Sequence, residues 1–136
     1  MLSLRSLFGR RDPRPFRAGQ RLRYATRPGE ERSRIVVLRV DEDATLGQII
    51  HLAIENVDIT PPGSARRMTR IGHVPISKAA LRASRPELDE EALDVPAFQQ
   101  GYDTWRAEFD AGRAGVFSIP IAEIVAVMAE TLAQGS

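Results

Sequence analysis

His51 and His73 are the only two imidazoles in the chain of 136 residues. Both sit on segments whose apolar residues alternate as in strands. Two histidines meeting across a sheet could form an acid/base pair, or hold a metal ion if a carboxylate lay beside them. Glu55 and Asp58 are the candidate carboxylates, although a histidine so placed also serves as an ordinary hydrogen-bonding group. His51 shares its parity with Ile49, Ala53 and Glu55, opposite the apolar face of Ile50, Leu52 and Ile54. A second group, Tyr24, Arg27, Glu30 and Glu31, surrounds Pro28-Gly29. Its mixed charges could hold a small polar ligand on an exposed loop, or pair with one another.

A third group follows from hairpin arithmetic. Pro28 pre-sets φ for the second position of a type II turn, and Gly29 accepts the positive φ of the third. Cross-strand numbers then sum to 57, so Leu22 faces Ile35 and Tyr24 faces Ser33 on one side. On the other side Arg23 faces Arg34, Ala25 faces Arg32, and Arg21 lies beside Val36. Opposed like charges are unfavourable alone, so Arg21, Arg23, Arg32 and Arg34 require an anionic counterpart. Glu87, Asp89, Glu90, Glu91 and Asp94 could supply it from within the chain, and an acidic partner protein could supply it from outside.

Other chemistry is excluded residue by residue. With no cysteine there is no disulfide, thiolate–zinc site or cysteine nucleophile. No Gly-Lys pair, Gly-x-Gly-x-x-Gly or Gly-x-Ser-x-Gly occurs, so no phosphate loop, dinucleotide fingerprint or nucleophile elbow is present. Asp41-Glu42-Asp43 opens like a calcium loop, but Leu46 stands where glycine is needed and Leu52 where glutamate is needed. No catalytic residue, metal ligand or cofactor is assigned.

The elements that must position these groups divide the chain in two. Strands are expected at about 22–26, 32–40, 48–59 and 68–74, separated by turns at Pro28-Gly29, Asp41–Asp43 and Pro61-Pro62-Gly63. Ile35-Val36-Val37-Leu38 is apolar on both parities, which predicts a central strand with partial cover on its other side. The second half reads as helical. Ser77 caps a first helix, and a short acidic helix runs from Pro86 to Leu93. A third helix stacks Phe98, Tyr102, Trp105 and Phe109 at buried-face spacing. Ser118 caps a last helix striped by Ile121, Ile124, Val125, Met128 and Leu132. The expected fold is α+β: an antiparallel meander of three to four strands, followed by two or three helices packed on one face.

At 43% apolar and 27% charged residues, the chain has the makeup of one globular domain. Residues 1–16 are read as a basic, loosely ordered arm, too short in apolar residues for a signal peptide, and 17–136 as a single domain. No apolar run is long enough for a transmembrane segment. Residues 1–39 carry eleven arginines against Asp12, Glu30 and Glu31, whereas the remainder is net acidic. A basic front suggests an acidic partner, a nucleic acid or an anionic membrane, unless the two halves neutralise each other within the fold. Only Phe8, Phe16 and Tyr24 offer stacking surfaces near those arginines, which argues against nucleic acid.

Four stretches carry a resemblance: 24–31 (YATRPGEE), 72–77 (GHVPIS), 101–105 (GYDTW) and 111–117 (AGRAGVF). Over residues 17–133 the chain resembles a family of small, uncharacterised bacterial proteins. The resemblance implies a bacterial, cytoplasmic, single-domain protein and no particular activity. The leading expectation is a non-enzymatic, accessory or immunity-like module that binds another protein. The alternatives are a small enzyme or ligand-binding domain using His51 and His73 with Arg27 and Glu30, and a weak nucleic-acid binder.

Overall fold

The computed structural model describes residues 11–63 and 66–134. Five strands, β1 (Arg21–Arg23), β2 (Arg34–Asp43), β3 (Gly47–Ile59), β4 (Met68–Ser77) and β5 (Glu87–Glu90), form one antiparallel sheet. Its order is β4-β3-β2-β1-β5, so β2 is the middle strand. Among the described residues three helices accompany the sheet: α1 (Lys78–Ala83), α2 (Gln99–Asp110) and α3 (Ile121–Gln134). None is long and apolar enough to cross a membrane.

The α+β class holds, and three expectations change. The sheet has five strands, not three or four. The extra strand is the segment expected to be an acidic helix. Glu87 and Asp89 alternate with buried Leu88, and β1 has an open edge that the segment fills, pairing Leu22 with Leu88 and Arg23 with Glu87. Second, the helices lie on both faces. Ile35 and Val37 pack with α1 and α3, while Val36, Leu38 and Ile49 face Phe98, which directly precedes α2, and Tyr102 and Trp105 of α2. This two-sided cover is why β2 is apolar on both parities. Third, residues 11–16 are part of the packed domain. Phe16 is buried in the main core, the Leu88 amide donates to the Arg11 carbonyl, and Gln20 Nε2 donates to the carbonyls of Pro13 and Pro15. The rest of the expected arm, residues 1–10, lies outside the described residues.

Local signals at the helix ends fared unevenly. Ser77 caps α1 by accepting from the Ala80 amide at 3.1 Å. At the start of α3 the Ile121 amide donates to the buried Ser84 hydroxyl at 2.9 Å, while Ser118, the expected cap, is exposed. Ser84 directly follows α1, so its hydroxyl joins two helices on the same face.

Candidate functional site

The arginine hairpin has the expected register: Leu22 pairs with Ile35 and Arg21 with Val36. Gly29 has φ +87°, and the Glu30 amide closes the turn onto the Arg27 carbonyl at 3.1 Å. Tyr24 and Ser33 do face one another, with their hydroxyls 2.6 Å apart. The counter-charge comes from within the chain. Arg21 donates to Glu90 at 2.6 Å and Glu55 at 3.3 Å, and Arg23 and Arg34 share Asp89 at 3.3 and 3.5 Å. Arg32 lies in the turn, outside both strands, because β1 ends at Arg23 and β2 starts only at Arg34.

Arg27 and Glu30 form a separate clasp. The guanidinium donates to both Glu30 oxygens at 2.7 Å, and the Asp58 amide adds a third bond at 2.8 Å. The Arg27 guanidinium holds the Glu30 carboxyl below the usual range despite burial. Asp58 is seven positions along β3 from His51, roughly 20 Å at strand rise. The structure therefore does not bring Arg27 and Glu30 to the histidines, and it gives them a role in closing the hairpin. Glu55 is likewise engaged with Arg21 rather than with an imidazole.

The histidines do meet. His51 Nδ1 and His73 Nε2 lie 2.9 Å apart, and the rings stack at 5.1 Å between centroids. Beyond His51, its Nε2 lies 3.0 Å from Asp41 Oδ2, which also accepts from the Tyr102 hydroxyl at 2.8 Å. Arg39 Nε donates to the other Asp41 oxygen at 2.6 Å, and its guanidinium rests 4.4 Å above the Tyr102 ring. The edges of Tyr102 and Trp105 close over His51 at 4.9 and 4.8 Å, leaving it fully buried. Trp105 is fixed in turn by donation to the Gly115 carbonyl at 2.9 Å. His73 remains partly exposed.

Two bulges make this arrangement possible. Val36 opposes Ala53, yet Arg39 opposes His51 and Asp41 opposes Ile49, so β2 holds one extra residue at Leu38. That residue reverses the parity, and Asp41 turns to the α2 face where His51 points. In β4, Val74 opposes Leu52 while Ile71 opposes Ile54. The extra residue there lets Ile71 and Val74 both enter the main core while His73 faces α2. Gly101 then allows α2 to approach: a Cβ at that position would stand 3.4 Å from the His73 Cβ.

The hydrogen-bond chain settles the tautomers. Burial, foremost, pushes His51 down to about 4, and burial lowers His73 as well, so both rings are neutral at pH 7. Burial works to raise Asp41, but bonds from Arg39, Tyr102 and His51 hold it below the ordinary carboxylate value, and it is ionised. An ionised carboxylate can only accept, so His51 must donate from Nε2. Its Nδ1 is then bare, and His73 must donate from Nε2. The remaining nitrogen, His73 Nδ1, is an acceptor on the partly exposed ring, without a hydrogen-bond partner among the described residues. Asp41 and Tyr102 are the members that sequence reasoning missed, since 41–43 read as a turn and Tyr102 as core. No protein-family model, curated protein or solved structure matches the chain.

Proposed function

We propose that this domain binds a small molecule at His73 and accepts a proton from it, with His51 and Asp41 as positioning residues. The observation that carries the reading is the relay Asp41–His51–His73, which leaves one imidazole nitrogen bare on the partly exposed ring of His73. A proton arriving at His73 Nδ1 makes that ring an imidazolium. The charge stays on that partly exposed ring, whose Nε2–H goes on donating to the buried, neutral His51 Nδ1. Arg39 keeps the Asp41 carboxylate ionised, so Asp41 holds His51 in the tautomer that accepts from His73 and takes no proton itself. Among the described residues no serine or threonine hydroxyl bonds either ring, which favours general-base chemistry over an activated nucleophile. The ligand class is a small molecule presenting a weakly acidic O–H or N–H.

Long-range proton–nitrogen NMR of the imidazoles tests the first half of this. At pH 7 both rings should show a protonated Nε2 and a bare Nδ1, and His51→Gln should leave His73 exchanging between tautomers. A panel of small phenols, imides and azoles then tests the second half. Binders should shift His73, and His73→Gln should abolish their binding. Exchanging tautomers at His73 in the native protein, or a panel that leaves His73 unmoved, would overturn the reading.

A further inference from the structure

Away from the histidines, a cleft of about 520 Å³ opens where β1 ends beside β5, with Arg23, Arg34 and Arg85 on its walls together with Glu31, Glu87 and Thr26. We infer that this cleft binds a small dipolar ligand bearing one carboxylate and one ammonium group, of amino-acid to dipeptide size. Arg23 and Arg34 divide a single carboxylate between them at 3.3 and 3.5 Å, and Arg34 Nη1 also donates to the Glu31 and Ser33 carbonyls at 3.0 and 2.9 Å. Charge-assisted bonds of full strength run at roughly 2.7–2.9 Å, so Arg23, and Arg34 through its Nη2, keep donor capacity for an added oxyanion. Arg85 pairs with no carboxylate among the described residues.

The backbone at Arg85 adds an independent observation. It follows the α1 cap Ser84, precedes Pro86 and adopts φ +56°. The position just past a helix end in the left-handed region is normally glycine, because a side chain there is strained. Here that strained position instead carries the longest cationic side chain, at the rim of a cleft that already holds two more. Strained, non-glycine backbone of this kind concentrates at ligand sites. Planar guanidiniums suit a carboxylate, which they can grip in pairs. Glu31 disfavours a dianion such as phosphate and offers an acceptor to an ammonium group through the carboxylate oxygen that the Gly29 amide, at 2.8 Å from the other, does not take.

The test follows the arginine Nε–Hε resonances of the full chain. L-Glutamine and L-alanyl-L-glutamine serve as dipolar probes, acetate as a carboxylate alone, and inorganic phosphate as a multivalent anion. The dipolar probes should give saturable shifts at Arg23, Arg34 and Arg85, with acetate and phosphate at least tenfold weaker. Arg85→Gly relieves the left-handed backbone, so it should melt no lower than the native protein while binding the probes at least tenfold more weakly; Arg85→Asn should behave alike. Absence of saturation with any probe, preference for phosphate, or native affinity in both variants would overturn the assignment.

Discussion

Charging His51 places a cation in a fully buried position beside a second imidazole, and that cost sets the acid response of the domain. In the unfolded chain a histidine titrates near 6.5, whereas in the fold His51 is pushed down to about 4. Above pH 6.5 both states are neutral and the group contributes no pH dependence. As pH falls below 6.5 the unfolded chain takes up the proton first, so stability falls until the folded group also titrates near 4. By pH 5 the loss from His51 alone is about 2 kcal/mol. His73, lowered by burial, acts in the same direction. Asp41 is depressed and loses its contribution only below the ordinary carboxylate range, so it does not blur the window between 6.5 and 5. Urea midpoints at pH 7.5 and pH 5 check this. Equal stability at the two values would mean that His51 is not held neutral by its surroundings, and the tautomer argument would fall with it.

At the scale of elements, Ser84 shows how one hydroxyl can organise two helices. Its Oγ donates to the Ala80 carbonyl at 3.0 Å and accepts from the Ile121 amide at 2.9 Å, in a place that is 1% exposed. Ser84→Ala leaves the amide at the head of α3 buried without that partner and should cost about 1–3 kcal/mol in thermal or urea unfolding. Ser118→Ala, at the exposed position first expected to cap α3, should change stability by less than about 0.5 kcal/mol. A reversed order would restore Ser118 as the cap. The comparison also shows what was legible in the sequence. Contacts within one hairpin or one helix turn followed from spacing: Tyr24 facing Ser33, the Ser77 cap, and the stripe of α2. What failed was information held by a distant element. The 87–90 segment is a strand because β1 needed a neighbour, and Asp41 meets His51 because a bulge shifts parity by one residue. Periodicity counts residues evenly and cannot register an inserted one. Thus both histidines were legible as a candidate pair, while the carboxylate that orients them was not.

For the whole molecule, the sheet is the shared wall of two packing layers, and this should make the faces unfold together. Phe16 belongs to the layer beneath α1 and α3, whereas Trp105 belongs to the layer beneath α2. The strands between them contribute alternate side chains to each. A chain beginning at residue 17 loses the buried Phe16 ring, the Pro13 and Pro15 carbonyls that accept from Gln20, and the Arg11 carbonyl that accepts from Leu88. Loss of a buried phenylalanine side chain alone costs about 3–5 kcal/mol, so truncation at 17 should destabilise by at least that much, and Phe16→Ala should reproduce most of the effect. Because a single cooperative transition is the rule at this size, Trp105 fluorescence should report the same lowered midpoint as far-ultraviolet circular dichroism. If the truncation lowers the midpoint seen by circular dichroism while leaving the Trp105 transition in place, the two faces are separable units. The histidine site would then sit in a layer whose stability is independent of the main core. If both probes shift together, the site is held by the whole fold, and changes as remote as residue 16 will alter how firmly His51 and His73 are aligned.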